Sequence, residues 1–365
     1  MNLYEFAAFV RRAIIYLALG IAAAVILYFL YKLAVNIYLT IYPPPETPPT
    51  VGFGKLPKLR LPSLEIKGKP AYILETATGQ LPQFDDRANV VAMKPSQPTL
   101  LGEQKARELA RALDFGGEGD LSSDKKFLTF RDATDARTLT VNVTNQNFTL
   151  TTTFARISTL PKGSAPSGPE AIQEARDILS RLGLQKFGFE AGNQTTSFRV
   201  ANSQGIAAAG SLSEAHFTEV DFFRSLTEVG DQNYPIVPTD PKKGLIQVWV
   251  TTGLKPEINN ILGVTYNAQE TEIDKTQVET YPIGDVMANW EEIKSGQGTA
   301  YVGSAEDLST VQINSITLAY FDDAVHQNYL QPIYVFSGVA KTVSNKEVEF
   351  VAYSQAVSGD WIIEE

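Results

Sequence analysis

Residues 13–31 read AIIYLALGIAAAVILYFLY, an uncharged run of 19 dominated by Ala, Ile, Leu, Val and aromatics. As a helix, a run of that length spans roughly 28 Å, close to the hydrocarbon thickness of a bilayer. It predicts one membrane crossing. No comparable run follows Pro43, so the sequence predicts a single anchor carrying one large polar remainder.

Arg11 and Arg12 precede the run directly, while Lys32 alone flanks its far end closely. Because positive charge is retained in the cytoplasm, residues 1–12 are expected inside and the remainder outside, giving a single-pass protein of the cell membrane with an extracytoplasmic C-terminal part. A cleaved signal peptide has a shorter apolar region and a small-residue cleavage site, and no A-x-A motif follows this run. The helix is expected to extend over 13–42, with Lys32 snorkelling and Tyr38 and Tyr42 at the interface. Gly20 and Ala24, like Ala18 and Ala22, have the spacing that lets two such helices approach, which marks Gly20 and Ala24 as a candidate helix–helix contact.

The chain has no cysteine, which excludes disulfides, thiol catalysis and cysteine-ligated metals. Residues 1–42 carry three basic and one acidic side chain, so of the total charge of −10 the remainder holds −12. Nucleic acid is excluded as a partner, because phosphate binding needs a basic face.

Pro43, Pro44, Pro45, Pro48 and Pro49 predict an extended spacer, continued to residue 69 as a strap or edge strand. Thr99–Leu113 and Pro169–Leu182 are amphipathic at helical spacing, with Ala106, Leu109, Ala110 and Leu113 on one apolar stripe and Ile172, Ala175, Ile178, Leu179 and Leu182 on the other. Each precedes a series of strand-like segments. Ile283–Ser295 predicts a third helix, with Val286, Met287, Trp290 and Ile293 on one face and Gly296 as C-cap. Val311–Phe321, Leu330–Gly338 and Glu347–Val357 predict an antiparallel meander beneath it. The expected class is α+β: one transmembrane helix, then tandem helix-on-antiparallel-sheet units over 70–160, 161–253 and 254–365.

No residue set predicts chemistry. His216 and His326 lie far apart, and Asp322-Asp323-x-x-His326 reads as a solvated turn rather than a metal site. Ser122 and Lys125 have the S-x-x-K spacing of penicillin-binding enzymes, but they follow a Gly-rich turn and enter a strand. Asp114–Asp120 holds three carboxylates and lacks the lysine of a phosphate loop; it reads as a helix-ending turn with the makings of a weak calcium loop. Glu291 with Glu292, and Glu270, Glu272 and Asp274, read as solvent faces. Asn142, Asn147 and Asn193 open N-x-T triplets, which matter only in a glycosylating pathway. No catalytic, cofactor-binding or metal-ligating residue is assigned.

Trp290–Gly296, Ile316–Phe321, Tyr329–Gly338 and Phe350–Tyr353 together resemble the C-terminal region of YycI-type regulatory ectodomains, single-pass membrane proteins built of PepSY-like α+β domains. The resemblance covers 283–357 and implies PepSY-like units and regulation of a membrane histidine kinase by protein contact, without catalysis. Pro332, which donates no backbone hydrogen bond, suggests that Gln331 and Pro332 lie on an edge where a partner strand adds. The expected function is non-enzymatic: binding and regulating a membrane signalling or envelope protein, or self-association. The alternatives are a structural or assembly component of the envelope and an exported hydrolase.

Overall fold

The computed structural model describes residues 16–17, 20–21, 24–35, 49–61, 69–96, 100–134, 136–225, 234–272, 278–295, 299–302 and 306–363. The chain divides into two compact units, Met1–Pro48 and Pro49–Glu365.

In the first unit the described residues are helical and nearly all exposed. Among the described residues, no helix is long and apolar enough to cross a membrane. That finding corrects the transmembrane helix expected over 13–42; residues 13–15, 18–19, 22–23 and 36–42 of that span lie outside the described residues. Arg11, Arg12, Ala18, Ala22, Tyr38, Tyr42 and the prolines from Pro43 to Pro48 lie outside the described residues.

The second unit is mostly β. Its elements begin with β1 (Ala71–Leu74) and β2 (Arg87–Met93), then helix α1 (Gly102–Ala112) and strands β3 (Asp120–Leu121), β4 (Phe127–Arg131), β5 (Arg137–Asn142) and β6 (Phe148–Thr152). A short helix α2 (Phe154–Ile157) and a long one, α3 (Gly168–Arg181), lead to β7 (Gln194–Asn202), β8 (Gly205–Ala208) and β9 (Phe217–Phe222). Next come β10 (Ile236–Val237), β11 (Ile246–Val250), β12 (Ile261–Tyr266), β13 (Thr271–Glu272) and β14 (Val278–Pro282). Helix α4 (Val286–Lys294) and β15 (Thr299–Val302) precede the long β16 (Leu308–Phe321), β17 (Tyr329–Thr342) and β18 (Glu347–Gln355).

Among the described residues, two nine-stranded sheets result. The first is antiparallel, ordered β3-β4-β5-β6-β12-β11-β9-β7-β8. The tandem units expected over 70–160, 161–253 and 254–365 are corrected here. The edge that the first meander leaves at β6 is paired by β12, so strands from all three stretches share one sheet. Pairing satisfies backbone groups that an edge leaves open, and it merges the two helix-bearing stretches over one core. Ala106, Ala110 and Leu113 from the first and Ala171, Ala175, Ile178 and Leu179 from the second bury against Leu139, Leu150, Val220, Val248 and Val264. The 3.6-residue spacing of those positions is what aims both helices at the sheet. Glu170 reaches back to the Ser167 backbone N–H at 3.0 Å, capping α3 at its start.

The second sheet runs β1-β16-β17-β18-β15, with β2, β10, β13 and β14 attached beside it. β16, β17 and β18 form an antiparallel meander. Gly338 opposes Ile313 where the register of β16 shifts past Asn314, and a Cβ at Gly338 would overlap the carbonyl of Gln312. Both faces of this meander are covered. On one lies α4, whose Trp290 stacks on Phe336 with ring centroids 5.9 Å apart and meets Tyr72 edge-on. On the other, Val335 and Tyr353 pack with Ala319, Phe321, Leu59 and Leu61. Trp290 therefore faces Tyr334, Phe336 and Phe350 rather than Val335 and Tyr353, and Met287, placed on the buried stripe from sequence, is half exposed. Residues 49–61 cross this half of the molecule, with Leu56 fully buried and bridged to Ile362.

Candidate functional site

The two sheets meet where β9 and β16 end. Arg224, two residues beyond β9, donates from Nη1 to Asp322 Oδ2 at 2.9 Å, and both side chains are 1% exposed. Arg224 Nε also donates to the Phe187 carbonyl at 2.6 Å. Burial pushes the Asp322 carboxyl up, and Arg224 opposes that push. Asp323 accepts from Thr239 Oγ1 at 2.9 Å. The acids beside His326 are thus engaged by an arginine and a threonine, and among the described residues no cluster of three or more His, Asp or Glu could hold a metal.

Two recesses open beside this junction and share His326. The larger, about 520 Å³, is lined by Lys94 beyond β2, Lys105 in the first turn of α1, Lys186 beyond α3 and Glu270 beyond β12, with Gln146 and Gln269 among the neutral groups. The smaller, about 160 Å³, is lined by Lys58, Arg60 and Asp323. Together they present five basic side chains against two acidic ones, in a chain whose net charge is −10. Lys94 pairs with Glu270 at 3.0 Å. Lys186 lies 4.7 Å from the centre of the Phe187 ring, which holds its charge at the rim. Burial lowers the pKa of His326, leaving the ring neutral at pH 7. The junction can attract and hold anionic groups electrostatically.

Gln331 and Pro332, expected at an exposed edge, sit buried in β17 opposite Phe321 and Tyr320 of β16. Gln331 Nε2 donates to the Pro57 carbonyl at 2.9 Å, and the Pro332 carbonyl accepts from Ala356. Pro332 tolerates this place because its missing N–H falls where the β18 pairing has ended at Ile333. Gly20 and Ala24 are helical and exposed, and nothing lies within 4 Å of a Cβ built at Gly20. Ser122 closes the β3–β4 turn, donating to Asp124 at 2.6 Å and accepting from the Phe127 N–H at 2.9 Å. Glu118 and Asp120 of the Gly-rich turn pair with Arg107 and Arg131. His216 is buried, its Nδ1 accepting from the Ala201 N–H at 3.2 Å. Of the three sequon asparagines only Asn193 is exposed; Asn147 is buried. Asp274 and Gly296 lie outside the described residues.

Sequence reasoning missed the basic junction because its side chains are drawn from positions 58 to 326 and come together only through the pairing of β2 and β12 with their sheets. No local motif marks them. No family model matches this chain, and no curated protein does. Among solved structures, an uncharacterized protein from Eubacterium rectale ATCC 33656 is similar at a TM-score of 0.34 and 13% identity, over 75% of this chain and 85% of that one.

Proposed function

We propose that this chain is a non-enzymatic binding protein that regulates its partner by docking an acidic protein segment at the junction of the two sheets. One observation carries the reading: the junction is basic, five cations to two anions, while the chain as a whole is acidic. Such a local reversal steers an acidic segment to one place and repels it from the rest of the surface. The regulatory role follows the resemblance of residues 283–357 to YycI-type ectodomains, which act by contact.

The test is site-specific photo-crosslinking in cells producing the full chain, with the photoreactive residue at Lys186 or, as a control, at Ile206 of β8. Capture from position 186 of a segment rich in Asp and Glu, absent from position 206, is the expected result. Equal capture from both positions, or capture of segments without acidic enrichment, contradicts the reading.

A further inference from the structure

A further cavity lies where β5 begins and β6 ends. Arg137 and Thr152 are cross-strand partners there, each 7% exposed. Arg137 Nη1 donates to Asn259 Oδ1 at 3.1 Å and Nη2 to the Leu113 carbonyl at 3.4 Å, while the guanidinium lies 5.0 Å from the centre of the Phe115 ring. Arg137 Nε and Thr152 Oγ1 are buried without a hydrogen-bond partner. Among the described residues no carboxylate is within ion-pair distance of Arg137. Burial disfavours its charge, and Asp132 and Asp114 oppose that only at longer range; Asp132 Oδ1 already accepts from Thr134 and from the Ala136 N–H. A buried cation without a counter-charge is costly, and buried polar groups are ordinarily satisfied.

Both groups line a cavity of about 410 Å³ that also meets the exposed Arg156 on α2 and the apolar side chains Leu254 and Leu262. That volume is within the range of small-molecule sites, and the mix of apolar wall with a few convergent polar groups is their usual chemistry. We propose that this cavity binds a small organic monocarboxylate, its carboxylate taken by Arg137, Thr152 and Arg156 and its apolar body packed against Leu254 and Leu262. A planar carboxylate suits the guanidinium fork. A phosphate dianion fits less well, because Asp132 in the lining repels a dianion more than a monoanion and Ala136, Leu254 and Leu262 offer it nothing to bond.

The experiment is equilibrium dialysis of the full chain against radiolabelled hexanoate, with unlabelled hexanamide and inorganic phosphate as competitors. Saturable hexanoate binding that neither competitor displaces is expected. Arg156→Gln, at an exposed position, and Thr152→Val are both expected to weaken binding about tenfold or more with unchanged circular dichroism. Arg137→Met is expected to abolish it, and the other two variants carry the test if that one fails to fold. Absence of saturable binding, displacement by hexanamide or phosphate, or unchanged affinity in both Arg156→Gln and Thr152→Val overturns the proposal.

Discussion

Arg224 and Asp322 form an ion pair of 2.9 Å in which both side chains are 1% exposed, and each lies just beyond the end of a strand in a different sheet. The pair ties the two sheets of the second unit together. Breaking a buried pair leaves the remaining charge without compensation, whereas replacing both partners removes the charge altogether.

Arg224→Met and Asp322→Leu are each expected to cost about 3–5 kcal/mol, and the double variant distinctly less than the sum. Urea unfolding of the full chain, followed by near-UV circular dichroism, measures this. Additive losses would mean that the two side chains are not coupled.

Asp221 in β9 is 3% exposed, and its Oδ1 accepts from the Gly244 N–H at 2.9 Å and Gln247 Nε2 at 2.7 Å. Burial outweighs these bonds and pushes its pKa up to about 6 from 3.8, with Glu219 adding to the rise and Arg199 opposing it. The folded state therefore holds this proton more tightly than the unfolded one. Its contribution to stability is fully present below pH ~4, is lost as pH rises towards ~6, and stays lost above that. Asp221→Asn keeps an acceptor and removes the ionisation, so it is expected to stabilise the protein at pH 7 by roughly 1–3 kcal/mol relative to its effect at pH 4. Denaturant unfolding of both proteins at the two pH values checks the sign.

Trp290 is 6% exposed against Phe336, Tyr72 and Phe350, while Met287 one turn earlier is 50% exposed. Trp290→Ala is expected to cost about 3–5 kcal/mol and Met287→Ala no more than about 0.5. Limited proteolysis should cut the Trp290→Ala protein within β16–β18 first. Resistance equal to wild type would remove Trp290 from the core.

The helices and the long strands were readable because side-chain period marks them: Ala106, Ala110 and Leu113 recur at helical spacing, and Thr138–Asn142 alternates polar with apolar. The face of a doubly buried strand was not. Runs such as Leu318–Phe321 and Ile333–Phe336 are apolar on both sides, so nothing in them sets which face meets Trp290. The β6–β12 pairing that merges the expected units runs through backbone groups, which every sequence carries alike. Pro332 looked like an edge signal because one missing N–H says only that one ladder bond is absent, and here that bond falls just past the last β18 pair.

The central claim, that the junction of the two sheets is an electrostatic docking site, is tested most directly by fluorescence anisotropy of a labelled oligoglutamate peptide titrated with the full chain. The reference protein carries Lys105→Glu and Lys186→Glu, and the salt is raised so that the Debye length falls from ~30 Å at 0.01 M to ~3 Å at 1 M. The predicted result is oligoglutamate binding that weakens steeply with salt and that the double reversal abolishes. Oligoglutamate binding that survives the reversal, or no binding at low salt, contradicts it.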